Sequence, residues 1–192
     1  FEELDNALDQ ITSTAEFELI AQEDDLIDIV VYGRSAHASL PETGENAVTA
    51  LCEFLSILDK QWESIISACP HGDIDGTALG IESEDDISGK LTYAFDLLEY
   101  DGQTIKGTFD IRFPICLNKE QLKEMLKHGF AKFDLELIRY SACNPHHTDE
   151  NSVLVKTLLD VYEKALNVVG WNKYKTINIQ YDNQIICTKH KN

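Results

Sequence analysis

The stretch KLTYAFDLLEYDGQTIKGTFDIRFP, residues 90–114, decides the fold. Two strand-like runs, 90–100 and 103–113, flank the dipeptide Asp101-Gly102. That dipeptide predicts a hairpin turn, because glycine takes a positive φ at no steric cost. In the second run Ile105, Phe109, Ile111 and Phe113 share one face, and Lys106, Thr108, Asp110 and Arg112 share the other. Such period-two alternation is the mark of a strand buried on one side.

Working outward, Asn118 caps a helix and Gln121 completes a capping box, with Leu122, Met125, Leu126 and Phe130 as the buried stripe. A strand over 133–140 follows. Upstream, residues 46–67 carry a helical stripe of Ala47, Leu51, Phe54, Leu58, Trp62 and Ile65, stopped by Pro70. Before it lie strand-like runs at 16–20 and 26–32, joined by an acidic turn at 22–25. A short apolar run at 77–81 breaks the loop between Pro70 and Lys90. The chain opens on a helix end marked by Phe1, Leu4 and Leu8, and a last amphipathic helix spans 152–168 before Gly170.

Without these arms the order is strand, helix, strand, strand, helix, strand. It predicts an α+β fold, a ferredoxin-like (split βαβ) two-layer sandwich with an antiparallel sheet and flanking helical arms. Residues 1–26 are then a lead-in helix and edge strand, 27–142 the sandwich, 143–170 a linker and helix, and 171–192 an atypical tail. In that topology the first and third strands run side by side and parallel. The loop after Gly33 and the strand end at Arg112 would therefore emerge together, with His37 and Arg112 facing one ligand.

At 192 residues, 43% hydrophobic and 26% charged, the composition is that of an ordinary folded domain. A formal net charge of -18, with sixteen Lys and Arg spread along the chain, argues against a nucleic-acid partner. No apolar run is long enough for a membrane span, and no export signal opens the chain. The five cysteines, Cys52, Cys69, Cys116, Cys143 and Cys187, are odd in number and form no Cys-x-x-Cys pair. They read as reduced thiols in a cytoplasmic protein, neither nucleophiles nor zinc ligands. The absence of an initiator methionine leads us to expect that the chain starts inside a longer protein.

The run Gly33-Arg34-Ser35-Ala36-His37-Ala38-Ser39, followed by Pro41, Gly44, Asn46 and Ala47, has the form G-x-x-A-H-A-x-x-P-x-x-G-x-N-A. It resembles the lid of the di-zinc metallopeptidases that include aminoacylase and succinyl-diaminopimelate desuccinylase. Within that family the likeness is to PepV-type, carnosinase-like (beta-Ala-Xaa) bacterial dipeptidases. Further segments carry it in the same order: Leu79-Gly80-Ile81, Asp85-Asp86 with Gly89, Asp110-Ile111-Arg112-Phe113-Pro114, and residues 158–163.

The resemblance implies a lid closing over a dipeptide held by a separate catalytic domain with two zinc ions and a glutamate base. His37 would hydrogen-bond the oxyanion of the tetrahedral intermediate, and Arg112 would hold the substrate's terminal carboxylate. From the residues alone, His37 also reads as an ordinary loop histidine and Arg112 as a solvated charge beside Asp110. Asn46 reads first as a helix cap and second as a substrate contact. Residues 143–170 would lead back toward the absent catalytic domain, so the chain alone is expected to be inactive and to bind no cofactor. The tail departs from the family, because residues 171–192 hold no glycine where a glycine-rich return is expected.

No metal set can be assembled. His71-Gly72-Asp73 matches a His-x-Asp pair only in spacing and reads as a turn. His146-His147 with Asp149 and Glu150 precedes a helix, whose positive end acidic side chains favour. Two other functions remain open. One is a stand-alone non-catalytic ligand-binding or dimerisation module; the other is a complete small enzyme built on His37 and a nearby acid, which lacks a nucleophile.

Overall fold

The computed structural model describes residues 2–22, 26–166 and 184–190. The elements in order are α1 (Glu2–Leu8), β1 (Glu16–Ala21), β2 (Ile27–Tyr32), α2 (Ala47–Leu58), α3 (Glu63–Ala68), β3 (Glu84–Asp85), β4 (Gly89–Lys90), β5 (Thr92–Tyr100), β6 (Thr104–Arg112), α4 (Lys119–Ala131), β7 (Glu136–Tyr140), α5 (Val153–Leu166) and β8 (Gln184–His190). The fold is α+β with antiparallel sheets, as the order of elements predicts.

The hairpin forms, with the turn one residue later than predicted. Tyr100 pairs with Ile105, and Gly102 takes φ 89°. Gly102 and Gln103 are therefore the turn residues. Asp101 precedes them, its carboxylate accepting from Gln103 N (3.0 Å) and Thr104 N (2.8 Å). A register shift between Phe95 and Leu97 makes Asp96 the extra residue of a β-bulge.

Alternation along β6 has the expected sense, with Ile105, Phe109, Ile111 and Phe113 all buried. Phe109 lies at the centre, its ring 4.4 Å from Phe95 and 5.2 Å from Tyr93, with Phe130 of α4 at 5.6 Å. Gly107 is needed there, since a Cβ would come within 2.9 Å of the Phe95 ring. The Asn118–Gln121 capping box starts α4, whose Leu122, Leu126 and Phe130 complete the core.

The predicted single helix over 46–67 is two. Asp59, with φ -144° and ψ 121°, ends α2 and caps a 3-10 turn that leads into α3. The buried residues of α2 are Thr49, Ala50, Cys52 and Phe54, while Leu51 and Leu58 are only half-buried. The reason is packing on two sides: Phe54 meets Phe17 of β1 at 5.4 Å, whereas Cys52 belongs to the main core. One stripe could not serve both layers.

Strand pairing differs most from expectation. β2 is not the parallel neighbour of β6. It pairs antiparallel with β1 over six residue pairs, through a short connection that costs little closure entropy. The main sheet has the order β5-β6-β8-β7, and β8 pairs antiparallel with both β6 and β7. Thus β6, α4 and β7 form the split βαβ unit, and its gap is filled from the segment predicted as an atypical tail. The short apolar run at 77–81 is a turn region, stabilised by Asp73 accepting from Gly76 N, Thr77 N and Ala78 N. Expectations for Phe1, for 23–25 of the acidic turn, and for Gly170 fall outside the described residues.

Candidate functional site

The loop 34–45 is closed at its neck by a pair of backbone bonds, Arg34 N to Glu45 O (3.0 Å) and Glu45 N to Arg34 O (2.9 Å). Two glycines allow this closure. A Cβ on Gly44 would stand 2.7 Å from the Ala36 Cβ, and one on Gly33 would stand 2.4 Å from Glu45 O. Arg34 Nε donates to Thr43 O at 2.9 Å, and Pro41–Thr43 form a 3-10 turn.

A polar cluster braces the neck. The Glu45 carboxylate accepts from Ser13 Oγ (3.2 Å) and Thr14 Oγ1 (3.0 Å) and pairs with His71 Nε2 at 3.0 Å. His71 Nδ1 lies 2.8 Å from Thr49 Oγ1. Burial alone would raise the Glu45 carboxyl, but the Thr14 and Ser13 hydroxyls and the His71 charge outweigh it and hold it below the usual range. Asn46 acts as the cap of α2, its oxygen accepting from Val48 N and Thr49 N, while its amide donates to Phe95 O at 2.9 Å. These bonds account for Asn46 without a ligand.

His37 is exposed at the top of the loop. Ser39 N donates to its Nδ1 at 3.2 Å, and Ser39 Oγ lies 2.7 Å from the same atom. An Nδ1 that accepts a backbone N–H carries no proton, so the neutral ring holds its proton on Nε2, a ready donor.

Arg112 ends β6 on the face opposite the core residues and is only 6% exposed, so it is not a solvated charge. Its Nη2 donates to Asp110 Oδ2 at 2.6 Å. The residue facing it across the ladder is Thr92, whose Oγ1 donates to Ala38 O, next to His37, at 2.7 Å. The His37 loop therefore meets the Arg112 end of the sheet as predicted, but through this bond rather than through parallel strands. Between them opens a cavity of about 420 Å³. Ser39 and Glu42 of the loop line one side, Thr92 and Arg112 the floor, and Asn144 and His146 the far wall. Thr92 was not singled out in the sequence, where nothing but the hairpin register points to it, and His146 was weighed there only beside His147, Asp149 and Glu150 and not as a wall of this site.

Asp96 borders this charged strip. The packing around it and then the Asp110 charge push its carboxyl up to about 6, with Arg112 partly offsetting them. The folded state thus holds this proton more tightly than the unfolded chain, so stability falls as pH rises from 3.8 through about 6. Asp96→Asn should therefore stabilise the protein relative to wild type at pH 7.5 but not at pH 4. The gain, read by urea denaturation, is at most about 1 kcal/mol, because the side chain is solvent-screened. An equal difference at both pH values would refute it.

Among the described residues no group of three or more His, Cys, Asp or Glu side chains could hold a metal ion. His71 is engaged by Glu45 and Thr49, and Asp73 by its own turn. The described residues therefore do not fit a di-zinc centre. Burial pushes the Cys52 thiol up to about 12, which rules it out as a nucleophile near neutral pH. Among the described residues no helix is long and apolar enough to cross a membrane.

Fold and site together define an α+β module with a histidine loop set against a buried arginine. The family model for the peptidase dimerisation domain matches residues 27–136, and the chain belongs to that family. A second model, FtsQ/DivIB, C-terminal related, matches residues 145–188. The chain is 34% identical, over 71% of its length, to "Putative dipeptidase YtjP" of Bacillus subtilis (strain 168). It is 31% identical, over 77% of its length, to "Beta-Ala-Xaa dipeptidase" of Lactobacillus delbrueckii subsp. lactis. The matches span 30% and 32% of those relatives, respectively.

Proposed function

We propose that this chain is the lid of a zinc-dependent dipeptidase, inactive by itself, with residues 27–142 as the lid proper and 143–170 leading toward a catalytic domain. The observation that supports this is the bond from Thr92, the ladder partner of Arg112, to Ala38 of the His37 loop, beside a cavity lined by Arg112 and by Ser39 and Glu42 of that loop. The Nε2 proton of His37 donates to the oxyanion that develops as water adds to the peptide carbonyl. Such a donor stabilises the transition state more than the substrate. Arg112, oriented by Asp110, holds the C-terminal carboxylate of the dipeptide, for which a planar guanidinium is suited. The two zinc ions and the general base belong to the catalytic domain. Free thiols such as Cys52 and Cys116 suit the cytoplasm.

The test joins the whole 192-residue chain, β8 included, to the catalytic part of a dipeptidase relative and measures dipeptide turnover. His37→Ala should lower kcat by about 10²–10³-fold with KM little changed. Arg112→Lys should raise KM for a free dipeptide about tenfold and leave that for its C-terminal amide nearly unchanged. Unchanged kcat in the first variant, or equal loss on acid and amide in the second, would overturn these roles.

A second reading, a non-catalytic dimerisation module, draws on the family description and on α5, whose Val153, Leu154 and Val161 are exposed. Turnover by the joined enzyme separates the two.

A further inference from the structure

We propose that Thr92 is a positioning residue that sets the His37 imidazole relative to Arg112. The proposal rests on the lid reading above. Thr92 is the first residue of β5 and the ladder partner of Arg112, so their side chains stand on the same face of the sheet. Both line the cavity. From that place the Thr92 hydroxyl donates to the carbonyl of Ala38 at 2.7 Å, one residue beyond His37.

The loop's other bonds act elsewhere. The Arg34–Glu45 pair and the Glu45–His71 contact fix its two ends. The Leu40 N to His37 O bond, at 2.8 Å, and the Ser39 contacts to Nδ1 shape its tip internally. Thr92 ties the tip to the strand that carries Arg112's neighbour. One hydroxyl therefore couples the oxyanion donor to the carboxylate site. An oxyanion donor works only within a few tenths of an ångström of its target, so a small drift of the tip removes its benefit while substrate binding survives.

Thr92→Val keeps the side-chain shape and the β-branched preference for a strand while removing the donor. Thr92→Ser keeps the donor. In the joined enzyme Thr92→Val should lower kcat about ten- to hundredfold with KM for a free dipeptide within about twofold. Thr92→Ser should restore wild-type kcat. In the His37→Ala background Thr92→Val should cost nothing further, because a positioning residue has nothing left to position.

The proposal is overturned if Thr92→Val matches wild type, if its loss multiplies with that of His37→Ala, or if Thr92→Ser is equally impaired. If His37→Ala itself leaves kcat unchanged, the lid reading fails instead. Thr92 is then judged on the intact 192-residue chain. There, Thr92→Val should shift the His37 imidazole nitrogen resonances and speed exchange of the Leu40 amide about tenfold, as loss of one tethering bond predicts, with Thr92→Ser unchanged. Identical spectra and exchange in all three proteins would overturn the tether.

Discussion

Phe109→Ala should lower the unfolding free energy by about 3–5 kcal/mol, the largest loss expected of any single truncation in the core. Phe109 is fully buried at the middle of β6, where β5, β6 and α4 meet. Its ring stacks on Tyr93 at an interplanar angle of 4° and on Phe95 at 27°, and tilts 46° against Phe130. Removing it leaves a cavity walled by three rings held on one strand, β5, and a helix, α4, so the site cannot collapse easily. Aromatic contacts of this kind add about 0.5–1.5 kcal/mol each beyond their buried area. Urea denaturation followed by Tyr and Trp fluorescence measures the loss. A drop below about 1.5 kcal/mol would show that the neighbouring rings repack, contrary to a rigid junction. Phe109→Leu should recover part of the difference.

Arg112→Met should cost about 3–5 kcal/mol at pH 7.5 for a different reason, because breaking a buried ion pair strands its partner. The Arg112 side chain is 7% exposed and that of Asp110 14%. With the guanidinium gone, the repulsion between Asp110 and Asp96 loses the offset that Arg112 supplies. Arg112 lowers the Asp96 carboxyl from what burial and Asp110 would impose, so its removal moves that carboxyl above about 6. Proton uptake then favours the folded variant as pH falls, and the deficit should shrink between pH 7.5 and pH 5. Adding Asp110→Asn should recover most of the stability, since replacing both partners of a buried pair is often nearly neutral. A deficit independent of pH, with no recovery in the double variant, would mean that Arg112 supports the strand through packing of its stem alone.

Local structure was legible wherever one residue type decides one geometry. Asn118 with Gln121 specified the start of α4, Asn46 the cap of α2, and the alternation from Ile105 to Phe113 the buried face of β6. What stayed hidden depends on a distant partner. The neighbour of β6 could have been β2, by the commonest strand order, yet β2 finds β1 five residues upstream. The strand that does fill the gap, Gln184–His190, lies in a polar stretch judged by its charges and lack of glycine. Its β-branched Ile185-Ile186 pair was the overlooked signal. Likewise the break at Asp59 follows from α2 serving two layers, which no single helical stripe reveals.

The His37 loop and Arg112 were legible from the motif and the strand, but not the reason the loop reaches that end of the sheet. The bulge at Asp96 supplies it. An unbulged ladder from the same turn would place Tyr93 opposite Arg112, and Tyr93 belongs to the core face. The extra residue shifts the register by one and brings a threonine hydroxyl to that position instead.

The place of β8 bears on how the molecule assembles. Every other described element precedes it in the chain, yet β6 and β7 reach each other only through it. During synthesis the β5–β6 hairpin and α4 can collapse early around Phe109, while the open edges of β6 and β7 wait for residues 184–190. Closing them joins residues some eighty positions apart, as in the pairing of Thr104 with His190, so sheet completion is the slow, high-contact-order step of folding. Until then the nascent chain carries two strand edges able to capture a foreign strand, and its yield in the cell rests on how quickly β8 arrives.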